Sequence, residues 1–213
     1  MFPKMSKDLN EYLGIHAANA AAFRRELENS LTSAKDKISI VLEALQKAET
    51  TLQALTQICI CVEALAIKAE KGGCAVADLT RELIDWTLKY FDTCKELEDI
   101  LGNSWKAWKS AMGNIVSAGR SQEAHENILI TLLQMKHQHR GDKNEINIEG
   151  VRSAMEDVGK KALDRLLETT NGAKDTLKEA LKILSDHREA WDRKEKEYRK
   201  ALTAARIAIS NLE

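Results

Sequence analysis

The chain has 213 residues, with one proline, ten glycines and 44% apolar residues, where average usage would bring about ten prolines and about fifteen glycines. So few turn formers exclude a β-rich fold, and so much apolar material excludes a disordered chain. Against 33 acidic side chains stand 32 basic ones, a net charge of −1, which leaves no global field to attract nucleic acid or an anionic membrane.

Ala, Leu, Glu, Lys and Arg dominate, which predicts long helices. Two clusters end helices and start turns, Lys71-Gly72-Gly73 and Arg140-Gly141-Asp142-Lys143-Asn144. They define three rods, approximately 6–71, 74–140 and 144–213, which short connections oblige to run antiparallel. The expected fold is therefore a single all-α domain, an elongated antiparallel bundle of three long coiled-coil helices. A helix of ~60 residues extends ~90 Å.

The first rod opens with a weakly charged stretch from Leu9 to Phe23, which holds one acidic residue, Glu11, and five alanines. It reads either as a buried helix end or as an amphipathic piece that moves onto a membrane. In the second case Leu9, Tyr12, Leu13, Ile15 and Phe23 would enter the lipid. The features of a secretory signal are missing, so a cytoplasmic protein is expected, with peripheral membrane association and leaderless secretion left open. From Leu27 onward, Leu31, Ala34, Ile38, Val41, Leu45, Ala48, Leu52, Leu55, Cys59, Val62, Ala66 and Ala69 alternate in four-three spacing, a heptad seam. No unbroken apolar run reaches 18 residues, so no constitutive membrane span is expected. Cys59 and Cys61 would point about 200° apart on a helix and cannot chelate one zinc ion together. With Cys74 and Cys94 they read as buried, reduced thiols.

The second rod starts regularly with Leu79, Leu83, Trp86 and Tyr90, but Gly102, Gly113 and Gly119 weaken its middle. Ser117-Ala118-Gly119-Arg120-Ser121 predicts a third turn, which would leave residues 122–136 as a short fourth helix carrying Ile128, Leu129, Leu132, Leu133 and Met135. Trp105 and Trp108 share a face and, with Trp86, Tyr90 and Phe91, concentrate aromatic residues in this rod. They read as core or dimer packing, or as an exposed indole pair for a membrane interface or a partner groove. The rod ends in a cationic tip, Lys136, His137, His139, Arg140 and Lys143, which reads as a solvated turn or as a contact for an anion or lipid headgroup.

In the third rod, Ala173, Leu177, Ala180, Leu184, His187, Trp191, Lys194 and Tyr198 keep four-three spacing. Thr169-Thr170-Asn171-Gly172 interrupts the rhythm ahead of them and predicts a stutter, bend or break. The run HREAWDRKEKEYRK, residues 187–200, reads as a solvated face laced with ion pairs. Its Arg193, Lys196, Arg199 and Lys200 are a second candidate surface for phosphate groups.

No nucleophile-base pattern, phosphate loop or Glu-x-x-His pair occurs, so neither enzyme activity nor a cofactor or metal is expected. In layout the chain resembles two groups. One is the BAR-domain proteins, three long antiparallel helices that dimerise into membrane-binding crescents. The other is the helical pore-forming toxins, water-soluble bundles with a membrane-entering terminus or tongue. Where many such toxins carry a long uncharged hairpin, this chain has Glu63, Lys68, Glu70 and Lys71. The leading expectation is a homodimeric scaffold that engages an anionic membrane surface. The alternatives are the soluble protomer of a pore-forming toxin and a coiled-coil adaptor for a helical protein partner. Nucleic acid is not an expected partner.

Overall fold

The computed structural model describes the backbone of residues 2–70, 76–140 and 147–210. Within these it describes the side chains of 11–68, 77–135, 137, 147, 149, 150, 152, 153, 160–197, 200 and 203. The chain is all-α, with α1 spanning Phe2–Glu70, α2 Val76–Arg140 and α3 Ile148–Ser210. Both glycine-marked turns fall outside the described residues. At the start of α3, Asn147 is the N-cap: its Oδ1 accepts a hydrogen bond from the Gly150 amide at 2.8 Å, satisfying one of the orphan donors of the first turn.

Two expected interruptions are absent. α2 runs unbroken through Ser117–Ser121 and on past residues 122–136, so the separate fourth helix does not exist, and α3 continues through Thr169–Gly172. The sequence of α2 masks a continuing seam. Cys94, Leu97, Leu101, Ser104, Ala111, Ile115 and Ala118 are all buried, and with the half-buried Trp108 they continue the four-three spacing, partly with small and hydroxylated residues that a search for large apolar side chains passes over; Ser121, three residues after Ala118, is buried as well. Gly102 and Gly113 are exposed and Gly119 half-buried, so these glycines flank the seam and leave the helix intact.

The chain divides into two compact units, each receiving a segment from every helix. Unit 1 is Met1–Ile40 with Ala107–Ala173, and unit 2 is Val41–Lys106 with Lys174–Glu213. In unit 1, Ser33 meets Asn114 and Ala20 meets His125, so α1 and α2 are antiparallel there. Trp108 meets Thr170 and Glu126 meets Arg152, so α2 and α3 are antiparallel as well. Its core is built on close helix contact. Ala34 and Ala111 are fully buried beside Ile38 and Ile115, with Met112, Leu163 and Leu166 packed against them.

In unit 2 the buried residues are larger: Leu55, Val62, Tyr90, Leu97, Leu101, Leu177, Leu184 and Trp191. The Lys47–Glu96 ion pair at 3.0 Å ties α1 to α2. The α1 seam departs from strict heptads here. The line Ala34, Val41, Ala48, Leu55, Val62 stays buried throughout, but its companion changes from Ile38, four residues on, to Thr51, Ile58 and Leu65, three residues on. Leu52, Cys59 and Ala66 are only half-buried in consequence. Thr51 is tolerated inside because its hydroxyl donates to the Lys47 carbonyl at 3.0 Å, as that of Ser104 does to Ile100 at 2.7 Å.

The hydropathy of α1 adds a second measure beside the search for an unbroken apolar run. An unbroken apolar run of 18 residues is absent, yet between Glu11 and Lys68 an 18-residue window reaches a mean hydropathy of 1.5, with 28% of it buried. By length and composition, α1 is one helix apolar enough to cross a membrane. Isolated charges interrupt a run without removing its average hydropathy.

Candidate interaction surfaces

The most chemically dense part of unit 2 lies where α2 and α3 cross. Tyr90 and Trp191 stack with centroids 3.9 Å apart and planes at 8°, and Phe91 stands edge-on to Tyr90 at 5.7 Å and 75°. One turn beyond Tyr90, the Cys94 thiol faces the Tyr90 hydroxyl and the Arg188 guanidinium, which Glu98 holds at 2.6 Å. The Tyr90 hydroxyl makes no hydrogen bond of ordinary geometry, and neither does the Trp191 indole N–H. From α1, Cys59 approaches the same cluster beside Lys194, which pairs with Glu63.

Burial keeps the thiols and the phenol of this cluster neutral, while the hydrogen bond to Glu98 favours the charged form of Arg188. Burial pushes the Cys94 thiol up, against the opposing effects of Tyr90 and Arg188, and pushes Cys59 up against Lys194. Burial is also the main cause that raises the Tyr90 phenol far above its ordinary range. A protonated, buried thiol is a weak nucleophile. Cys94 is a buried free thiol and Cys59 and Cys61 are half-buried ones, while Cys74 falls outside the described residues. Among the described residues, no group of three His, Cys, Asp or Glu side chains could hold a metal ion.

The outer faces carry a different signal. On α2, Ile84, Leu88 and Phe91 are 55%, 59% and 52% exposed, and their i, i+4, i+7 spacing puts them in one stripe. The seam of α2 runs along Leu79, Tyr90, Cys94 and Leu97, so this stripe is a second, outward apolar line. Beside it, Lys89 lies over the Trp86 ring at 4.4 Å. On α1, Ile60 and Ile67 are exposed with Ala64 between them, again at i, i+4, i+7 and opposite the buried Ile58, Val62 and Leu65.

The residues singled out from sequence are distributed unevenly over these features. Trp108 is half-buried, and its indole donates to the Thr170 carbonyl at 2.8 Å, joining α2 to α3 within unit 1. Trp105 is also half-buried. Near the start of α1, Tyr12 and Ile15 are exposed, Leu13 and Phe23 half-buried, and Ala20 buried, so this segment is not a wholly buried helix end. Tyr12 sits edge-on to His16 at 4.3 Å. Of the cationic tip, His137 is half-buried, while Lys143 and the side chains of Lys136, His139 and Arg140 fall outside the described residues, as do those of Leu9 and Arg199. Arg193, Lys196 and Lys200 are exposed, and Arg193 donates to the Glu189 carbonyl at 3.2 Å.

The stripe Ile84, Leu88, Phe91 was not among the sequence candidates. Phe91 stood out only as one of a group of aromatics, and Ile84 and Leu88 fell between seam positions. Their own i, i+4, i+7 spacing was the signal available. No family model matches the chain, and no curated protein or solved structure shows significant similarity to it.

Proposed function

We propose that this chain is a non-enzymatic helical binding module that recruits a protein partner through the outward face of α2 in unit 2. The observation that carries this reading is the stripe of Ile84, Leu88 and Phe91, three large apolar side chains each more than half exposed. An apolar line at helical spacing on an otherwise solvated helix is the pattern by which one helix takes up another. Tyr90, itself stacked on Trp191, meets the Phe91 ring edge-on, which restricts that ring before any partner arrives and lowers the entropic cost of binding.

Site-specific benzophenone crosslinking tests the reading. A photoreactive residue at position 88 is expected to trap one discrete protein adduct in cells, whereas the same group at exposed Lys178 traps none. Adducts at both positions, or at neither, would remove the support for a docking face.

A second reading, a membrane-engaging scaffold, is favoured by α1. It carries the 18-residue window of mean hydropathy 1.5, and Tyr12 and Ile15 stand exposed near its start. Arg193, Lys196 and Lys200, exposed at i, i+3, i+7 on α3, offer cations for anionic headgroups, each worth ~1 kcal/mol near a charged surface. Sedimentation with anionic vesicles and release of an entrapped dye separate its two forms. Pelleting that is lost on changing these three cations to Glu supports a peripheral scaffold, and leakage with increased labelling of Cys59 and Cys61 supports insertion. Silence in both assays would reject this reading.

A further inference from the structure

We infer that the α2 stripe takes an amphipathic helix of another protein that carries Lys or Arg along one shoulder of its apolar face, and not a second copy of this chain or a lipid surface. This deepens the proposed binding function and rests on it. The apolar line Ile84, Leu88, Phe91 is continued at heptad spacing from Leu88 by Arg81 on one side and Lys95 on the other. On one shoulder, each a heptad from the next, lie Asp85, Asp92 and Asp99, all exposed. None of the three enters an ion pair among the described residues. The cation between Asp85 and Asp92, Lys89, has its ammonium over Trp86. On the opposite shoulder Thr80 and Thr87 are half-buried and Cys94 buried, with the Thr87 hydroxyl turned back to the Leu83 carbonyl at 2.7 Å, and Glu98, one turn beyond Cys94, is already paired with Arg188 at 2.6 Å.

This charge arrangement selects the occupant. In an antiparallel two-fold pairing about Leu88, the same shoulder of each copy faces itself. Asp85 would then oppose Asp92 of the second copy, and Arg81 would oppose Lys95. A parallel pairing sets Arg81 on Arg81 and Lys95 on Lys95. Like charges meet in both arrangements, which disfavours the chain as its own partner. An anionic bilayer meets the aspartate shoulder with the same repulsion. A helix with basic residues at heptad spacing on one flank, and acidic residues toward the two ends of its apolar stripe, complements the aspartate shoulder and the Arg81 and Lys95 ends of this face.

The test uses two designed 24-residue peptides with one Leu/Ile stripe. One carries Lys at the three shoulder positions and the other carries Glu, and binding to the full chain is followed by fluorescence anisotropy. The Lys peptide is expected to bind roughly tenfold more tightly, from three rim ion pairs of modest strength each. Asp85→Lys with Asp92→Lys should reverse the preference, and Leu88→Asp should abolish binding of both peptides with helicity unchanged by circular dichroism. Equal binding of the two peptides would overturn the charge assignment while leaving the docking face in place. Binding untouched by Leu88→Asp would overturn both. A dimer in sedimentation velocity, or pelleting with anionic vesicles, that Leu88→Asp abolishes would make the occupant a second copy or a lipid surface and would overturn the inference.

Discussion

Tyr90 concentrates two residue-scale consequences of burial. Its side chain is 1% exposed, and its hydroxyl makes no hydrogen bond of ordinary geometry, with the Cys94 thiol beside it. A buried hydroxyl that exchanges water for a weak thiol contact gains little, so its removal while keeping the ring should be neutral or stabilising within about 1 kcal/mol. Urea denaturation of Tyr90→Phe at pH 7 checks this, and a loss above about 2 kcal/mol would mean that the hydroxyl is bonded after all. The second consequence is pH dependence. Burial holds the phenol, and the thiols of Cys94 and Cys59, above their ordinary values in the folded state. A group whose pKa is raised by folding contributes its full stabilisation below its unfolded value. That contribution is lost as the unfolded chain ionises and the folded chain does not. Stability should therefore be flat through neutrality, decline above about pH 8.5 as unfolded thiols ionise, and decline more steeply above about pH 10 with the phenol. Tyr90→Phe should remove the steeper limb and keep the shallower one. An alkaline profile identical to that of the wild type would show that Tyr90 stays neutral for no stability-linked reason. In unit 1, Trp108→Phe removes the bond to the Thr170 carbonyl and should cost about 0.5–1.5 kcal/mol.

At the scale of the helices, the glycines of α2 and α3 give the sharpest test. Gly119 and Gly172 lie within continuous helix, and a Cβ built at either would meet nothing within 4 Å. Replacing each with Ala should stabilise the protein by roughly 0.5–1 kcal/mol, because Gly loses more backbone freedom in a helix than Ala does. Destabilisation by Gly119→Ala in a thermal melt would mean that residues 117–121 form a turn. This position also shows which parts of the fold were legible. The seams of α1 and α3 could be read directly because large apolar residues occupy them: Leu55, Val62, Leu177, Leu184 and Trp191 are where four-three spacing put them, all buried. The middle of α2 could not, since Ser104, Ala111, Ala118 and Ser121 bury little apolar surface and look like loop composition. The change of companion line along α1 was hidden for another reason. Ile58 and Leu65 are as apolar as Cys59 and Ala66 beside them, so spacing alone does not decide which column faces inward. The candidate docking face was half visible: Trp86, Tyr90 and Phe91 stood out as aromatics, but that Phe91 points outward while Tyr90 points inward depends on the neighbours that α3 supplies.

For the molecule as a whole, the two units differ in what their described cores contain, and this predicts uneven stability. Unit 1 buries Ala20, Ala34, Ala111, Ala118 and Ala173 with only Ile38 and Ile115 as large aliphatics, whereas unit 2 buries Leu55, Ile58, Val62, Leu65, Leu79, Tyr90, Leu97, Leu101, Leu177, Leu184 and Trp191. Apolar burial stabilises by about 25 cal/mol per Å², so the larger fully buried side chains described in unit 2 contribute more than the buried alanines of unit 1. Local opening should follow that difference. In native-state hydrogen exchange under rising denaturant, amides of residues 20–38 and 111–125 are expected to open at a lower free energy than those of 48–65, 90–101 and 177–191. Leu97→Ala, which empties a fully buried site in unit 2, should cost about 2–5 kcal/mol. It should lower protection at 48–65 and 177–191 as well as around residue 97, bringing unit 2 toward the level of unit 1. One uniform opening free energy across all these segments would mean that the chain unfolds as a single cooperative body, and the reverse order would mean that buried alanine contact holds helices together more strongly than the larger side chains do.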